Sequence, residues 1–154
     1  MLAKNRMSSV AAAAAVALAA GWAGAANAQP TKVPLDAETT VDGVPVACTG
    51  VGQTKLDPHW TTYPVRAEFS DAKNAYLANE AITVWDAHGR QVVSVSCEGP
   101  WILLKLAPGS YRIEGRLLDM AAKPRTAPFK PPAKGQMRLV LQFLDVDANA
   151  PVAP

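Results

Sequence analysis

The residues of this sequence that could do chemistry are few, and their spacing matches no catalytic or metal-binding motif. The two histidines, His59 and His88, fall in separate predicted turns. A zinc site needs several ligands, and neither an H-x-H nor an H-E-x-x-H pattern occurs. Ser94 and Ser96 are not part of a G-x-S-x-G nucleophile elbow. The sequence therefore predicts no catalytic residue, no metal and no cofactor.

One arrangement would still permit a small-molecule site. If the fold brought the two predicted turns together, His59, His88 and Arg90 could line a cleft. Imidazole and guanidinium groups in one cleft suit a carrier of small molecules or a hydrolase. This hypothesis is the alternative to a protein without catalytic activity.

Cys48 and Cys97 are the two cysteines of the chain. In an exported protein an even number of cysteines predicts a disulfide, because the compartment beyond the inner membrane is oxidising. The bond would close a loop of about 50 residues, which stabilises a fold by about 4 kcal/mol in the chain-entropy model. A redox pair of free thiols is the alternative, but no C-x-x-C occurs. The sequence favours a structural disulfide.

Export is predicted from residues 1–28. Lys4 and Arg6 precede an alanine-rich apolar stretch, and Ala26 and Ala28 form an A-x-A cleavage pattern. We expect a signal peptide that is cleaved after Ala28, and a mature protein in the periplasm. No later apolar run approaches the roughly 20 residues that cross a bilayer, so stable membrane insertion is not expected.

The charge of the mature chain restricts its partners. The full sequence has 15 Lys and Arg against 13 Asp and Glu. Removal of residues 1–28 removes Lys4 and Arg6 and leaves a formally neutral chain. Nucleic acids attract proteins mainly through basic charge, so no nucleic-acid partner is expected.

The mature chain is predicted to form one domain between two flexible ends. Residues 29–42 are polar and contain prolines, which predicts a flexible leader. Residues 43–145 carry the apolar patterns of the domain, and residues 146–154 are predicted to be a flexible tail. A monomer or a weak homodimer is expected.

Short β-strands follow one another through this domain. Apolar and polar residues alternate in "TYPVRAEFS", "YRIEGRLL" and "QMRLVLQFLD", the period of half-buried strands. "AITVWDA" and "QVVSVSC" are predicted to form a hairpin with Gly89 in its turn. "WILLKL" does not alternate, as expected of a strand buried on both faces. The pattern predicts an antiparallel Greek-key β-sandwich of six to eight strands.

Two turns bound the buried strand. Gly99 and Pro100 are predicted to turn the chain before it, so that Trp101 and the leucines enter the core between the sheets. Pro108 and Gly109 are predicted to reverse the chain, with a positive φ at Gly109, before the next strand. That strand begins at Tyr111.

A basic, proline-rich segment follows at residues 120–135 and contains no acidic residue. Its prolines exclude it from a central strand and favour an extended or edge conformation. Lys123, Arg125 and Lys130 could bind an acidic or aromatic partner, or could only keep a connecting loop soluble. His59 and Trp60 are predicted to form a second, exposed aromatic surface for a partner.

Two motifs of this sequence resemble the carboxypeptidase regulatory-like domains, which are transthyretin-related β-sandwiches. The hairpin motif V-x-V-x-D-x-x-G and the turn motif L-x-P-G-x-Y are matched by Ile82, Val84, Asp86 and Gly89, and by Leu106, Pro108, Gly109 and Tyr111. A narrower resemblance is carried by three short motifs, "GVG", "AYLA" and "GPW", which are similar to those of small, single-domain periplasmic proteins of Gram-negative bacteria.

The resemblance implies a transthyretin-like sandwich that binds another envelope protein or a polymer. A hydrolase of the same fold ends in a Tyr-Arg-Gly-Ser signature, whereas this chain ends in "DANAPVAP". Because this chain lacks the signature, binding is the main interpretation and hydrolysis is the alternative.

Overall fold

In the computed structural model, which describes residues 29–149, the chain forms two five-stranded β-sheets around one core. The predicted signal peptide, residues 1–28, and the last part of the predicted tail, residues 150–154, lie outside the described residues. The strands are β1 Thr31–Val33, β2 Ala37–Val41, β3 Val44–Thr49, β4 Val65–Asp71, β5 Glu80–Asp86, β6 Gln91–Cys97, β7 Trp101–Leu104, β8 Tyr111–Leu117, β9 Arg125–Phe129 and β10 Met137–Phe143.

The prediction of an all-β sandwich is confirmed. The first sheet has the order β1-β6-β5-β8-β9 and the second the order β10-β4-β7-β3-β2. The described chain has more strands than the six to eight predicted, because β1 and β2 fall in the predicted leader. Two pairs are parallel, β1 with β6 and β10 with β4, so the sheets are not purely antiparallel.

The prediction of a flexible leader over residues 29–42 is wrong. Val33 and Val41 are buried in the core, and β2 pairs with β3 through a turn at Asp42 and Gly43. Both turn residues have positive φ, 52° and 81°, as a two-residue Asp-Gly hairpin turn requires. The segment is ordered because these two valines fill the core, although its other residues are mostly polar.

The first residues of the predicted flexible tail are also held in place. Val146 and Ala148 pack against the core, and the backbone N–H of Ala148 donates to Asp71 Oδ2 at 3.1 Å. This bond holds the pKa of Asp71 below its usual value. Burial raises that pKa, and hydrogen bonds from the N–H groups of Ala75 and Lys73 lower it further. The flexible-tail prediction is wrong for residues 146–149.

The predicted central elements are present. Gly89 has a φ of 75° in the β5–β6 turn, and every residue of β7 is buried. Cys48 and Cys97 form the predicted disulfide, with their Cα atoms 5.5 Å apart. It joins β3 of the second sheet to β6 of the first, and so ties the two layers together.

The two predicted turns differ from expectation in their glycines. Gly109 does not have a positive φ, and a Cβ there would come no closer than 3.4 Å to the Tyr111 ring. At Gly99 a Cβ would lie 2.5 Å from the carbonyl oxygen of Thr49. Tyr111 does begin β8, as predicted, and its hydroxyl donates to the carbonyl oxygen of Ala107 at 3.0 Å. The positive-φ argument for Gly109 is therefore wrong, and of these two turn glycines it is Gly99 that the packing requires.

We expect Gly99→Ala to destabilise the protein by about 1–3 kcal/mol, because the added methyl group must displace the backbone of β3. Gly109→Ala should change stability by less than about 1 kcal/mol, because its backbone angle suits any residue. Urea unfolding of both variants, with unchanged slopes, measures the difference. Equal midpoints would contradict the assignment.

Candidate functional site

The surface of the second sheet that faces away from the core carries polar and aromatic residues in two rows. Alternate residues of a strand point to opposite faces, and Val65, Ala67 and Ile102 point into the core. Their neighbours therefore point outwards. Across β10, β4, β7, β3 and β2 the first row is Arg138, Arg66, Leu103, Ala47 and Glu38; across β10, β4, β7 and β3 the second is Val140, Glu68, Trp101 and Thr49.

Five of these outward residues and a neighbour form what we call the arginine–aromatic cluster: Arg66, Glu68, Tyr76, Trp101, Arg138 and Val140. Arg66 and Arg138 are direct neighbours across β4 and β10, and two like charges in that position repel. Glu68, which has no exposed surface, lies between them. Arg138 Nε donates to Glu68 Oε2 at 2.6 Å, and Arg66 Nε lies 2.7 Å from Oε1. One carboxylate thus forms an ion pair with each of two guanidinium groups, and of these two contacts only the one with Arg138 has hydrogen-bond geometry.

The aromatic side chains lie beside these charges. The Arg66 guanidinium is stacked over the Trp101 ring, 4.4 Å from its centroid, and the Tyr76 ring lies edge-on to Trp101 at 6.4 Å. The hydrogen bond and charge of Glu68, with a smaller contribution from Tyr76, raise the pKa of Arg138. Arg138 therefore remains charged at neutral pH.

The cluster combines exposed side chains with buried side chains beneath them. The side chain of Arg138 is 56% exposed and Tyr76 is 49% exposed, whereas Trp101 is 9% exposed. The Trp101 Nε1 atom is buried and has no hydrogen-bond partner in the described part of the chain. Because β4, β7 and β10 fix the buried residues, the exposed side chains are presented on a rigid surface.

A second cluster lies at the β2 side of the same surface. Glu38 Oε1 accepts a hydrogen bond from the Tyr63 hydroxyl and lies 2.7 Å from His59 Nε2. The bond from Tyr63, and then that of His59, hold the pKa of Glu38 below its usual value. Burial, followed by the bond to Glu38, raises the pKa of Tyr63. The phenol therefore stays protonated and acts as a donor, with Lys105 Nζ 4.6 Å from its ring centroid.

The chain reaches this second cluster through two short 3-10 helices, Thr54–Leu56 and Pro58–Thr62. Asp57 caps the second by accepting from the N–H of His59 at 2.8 Å. Trp60 is buried, and its Nε1 donates to the carbonyl oxygen of Thr54 at 2.8 Å. His59 is exposed as predicted, but the prediction that Trp60 is an exposed binding residue is wrong, because its ring covers the outer face of the sheet.

The basic, proline-rich segment occupies the edge of the first sheet. β9 pairs only with β8, as an edge strand containing Pro128 should, and it lies against β10. Lys123 and Lys130 are exposed, whereas Arg125 is half-buried. The segment therefore lies on the same side of the sandwich as Arg138, a placement that the sequence did not indicate.

The alternative cleft around His59, His88 and Arg90 is not formed. The N–H groups of His88 and Arg90 both donate to Asp86 Oδ1, at 2.8 and 3.1 Å, in the β5–β6 turn. His59 contacts Glu38 on the outer face of the other sheet. The two histidines belong to different parts of the molecule, and His88 and Arg90 have a clear role in holding the hairpin turn.

The sequence did not reveal the arginine–aromatic cluster. The alternation in "TYPVRAEFS" correctly predicts that Arg66 and Glu68 share the polar face of β4, but the sequence also predicts that Trp101 enters the core between the sheets. That assignment is wrong, because Ile102 and Leu104 take the inward positions of β7. The pairing of Arg138 with Glu68 follows from the parallel β10–β4 register, for which the sequence has no local signal.

Comparison with known proteins adds no relative: no family model matches this chain, and no curated protein matches it. Among residues 29–149, no group of three or more His, Cys, Asp or Glu is placed to hold a metal ion. In the same range no helix is long and apolar enough to span a membrane.

Proposed function

We propose that this protein is an exported, periplasmic binding module without catalytic activity, a carboxypeptidase regulatory-like β-sandwich that binds another protein or a polymer of the cell envelope. The observation that carries the proposal is the arginine–aromatic cluster. Arg, Tyr and Trp are the residue types that contribute most to binding at protein interfaces. Here they lie together on the rigid outer face of the second sheet.

The basic segment supports the same function. Lys123 and Lys130 are exposed on loops that flank β9, next to the edge of the second sheet that carries Arg138. Loops and edges on a rigid scaffold commonly carry binding residues. A partner that covers the cluster could therefore also contact this segment. Export rests on the signal-peptide pattern of residues 1–28.

Site-specific photocrosslinking in living cells tests the proposal. A photoreactive residue is placed at Tyr76 in the cluster, at Lys130 in the basic segment, and at His88 as a matched exposed control. We expect one defined envelope partner to crosslink from position 76 or 130 and not from position 88. The intact mass of the captured chain should equal that of a chain whose first residue is Gln29.

Two results would overturn the proposal. The first is an absence of any crosslinked partner from all three positions at native expression. The second is equal crosslinking from position 88, which would show contact without a defined surface. A thermal shift with a small metabolite in the parent protein would instead support the carrier or hydrolase interpretation.

A further inference from the structure

We propose that the arginine–aromatic cluster binds carboxylate side chains in an acidic segment of a partner protein. The inference rests on the proposed function and names the chemistry of the partner at that site. It is carried by the shared pairing of Glu68 with Arg66 and Arg138, and by the exposed groups around that pair.

The first argument is the charge balance. Two guanidinium groups lie next to each other across β4 and β10, and the single carboxylate of Glu68 neutralises one of the two charges. Glu68 is fully buried, so its carboxylate lies beneath the arginines and does not occupy the exposed side where a partner would bind. The cluster retains one positive charge, which a carboxylate from a partner would neutralise.

The second argument is the number of hydrogen-bond donors. A guanidinium has five N–H donors in a planar fork that fits a carboxylate. Glu68 contacts Arg66 and Arg138 through their Nε atoms and offers one oxygen to each. Donors therefore remain on both arginines, and more than half of the Arg138 side chain is exposed to solvent. A second carboxylate can bind at the outer side of this pair.

The third argument favours a protein over a polyanionic polymer. Tyr76 and Val140, which are 49% and 38% exposed, place apolar surface directly beside the arginines. An apolar centre with arginine and aromatic side chains is typical of protein interfaces. Polyanions bind mainly to tracks of unpaired cations, whereas Arg66 and Arg138 share Glu68. Recognition of acidic motifs by arginine clusters is an established mode of peptide binding.

The basic segment adds positive charge at the edge of the sandwich where β9 lies against β10. Residues 120–135 contain Lys123, Arg125, Lys130 and Lys134 and no acidic residue. β9 lies against β10, and Lys123 and Arg125 lie near Asp145, past the end of β10, whereas Arg138 is near its start.

Fluorescence anisotropy with a labelled glutamate-rich peptide tests the inference on the mature, oxidised protein. We expect binding that weakens with salt, and no binding of the same peptide with glutamine in place of glutamate. Arg138→Gln should weaken binding about tenfold, because it removes one charged hydrogen-bonding group. The matched control is Arg116→Gln, since Arg116 is an exposed arginine paired with Glu114 on the first sheet. It should leave binding unchanged.

Arg138→Gln could also unfold the site, because it leaves Glu68 with one partner. Arg138→Lys keeps a charge near Glu68 but loses the planar fork, so it should fold and still bind the peptide more weakly than the parent. Unfolding curves of each variant separate a lost fold from a lost contact.

The inference is overturned if the glutamate peptide does not bind, or if Arg116→Gln weakens binding as much as Arg138→Gln. It is also overturned if polygalacturonate binds with the same dependence on Arg138 and the peptide does not, because the partner is then a polymer. These failures differ from failure of the proposed function. A defined crosslinked partner that contacts position 130 and not position 76 would retain the binding module and reject this site.

Discussion

Glu80→Gln is expected to stabilise the protein at neutral pH and to remove a fall in stability as the pH rises. Glu80 is the first residue of β5 and lies between Cys97 and Leu117 of the neighbouring strands, on the side of the sheet that faces the core. It has no exposed surface, and neither of its carboxyl oxygens has a hydrogen-bond partner among residues 29–149. A charged carboxylate is very unfavourable in such a position.

The direction of the pH dependence follows from the pKa. Burial, and then the charge of Glu68, raise the pKa of Glu80 well above its usual value. Above the pKa of the unfolded chain, the unfolded state has lost this proton while the folded state still holds it. Stability therefore falls by about 1.4 kcal/mol per pH unit as the pH rises towards the folded-state pKa of Glu80. Glutamine has the same shape and no proton to lose, so the variant lacks this loss.

Urea unfolding between about pH 5 and pH 8 measures the effect, as the difference in free energy of unfolding between the parent and Glu80→Gln. Glu98→Gln is the matched control, because Glu98 is an exposed glutamate that pairs with Lys32 at the surface. It should change stability by less than about 1 kcal/mol at every pH. A parent and a Glu80 variant with parallel pH profiles would show that Glu80 is charged in the folded protein.

Loss of the disulfide is expected to have the other large effect. The double variant Cys48→Ala/Cys97→Ala should lose about 4 kcal/mol of stability, because the bond spans 49 residues and limits the freedom of the unfolded chain. Both cysteines are buried in the core where β3 and β6 meet. The loss should appear in urea unfolding at a fixed pH.

A reducing agent provides the control for this prediction. Reduction should destabilise the parent protein to a similar extent and should not affect the double variant, which has no cysteine. If the reduced parent and the oxidised parent unfold at the same urea concentration, the disulfide does not limit the freedom of the unfolded chain as the chain-entropy model assumes. A bond of this kind would be kept in the oxidising periplasm where we propose that the protein acts.

The elements that the sequence predicted well are those with local signals. The β5–β6 hairpin has β-branched strands and Gly89 at a position that requires positive φ. The β8 strand begins at Tyr111 after a Pro-Gly turn, and β7 is apolar throughout. Each signal lies within about ten residues of the chain, because turn geometry and the alternation of side chains are local properties.

The elements that were missed depend on distant contacts. β1 and β2 are short and mostly polar, and they are held by Val33 and Val41 in the core. Only the Asp42-Gly43 pair could have indicated the β2–β3 hairpin. The buried Glu80 resembles any strand-end glutamate in the sequence, since nothing near it in the chain shows that other strands cover it.

The sequence by itself determined the class of the fold, the pairing of Cys48 with Cys97, and the β5–β6 hairpin turn, because these follow from alternation, cysteine number and local backbone preference. Only the tertiary structure decided which residues form a site. The parallel pairing of β10 with β4, with Phe143 stacked on Phe69 at 5.8 Å in the core, sets Arg138 beside Arg66 on the opposite face. That register joins segments about 70 residues apart, and it is fixed by the packing of the core rather than by any local pattern.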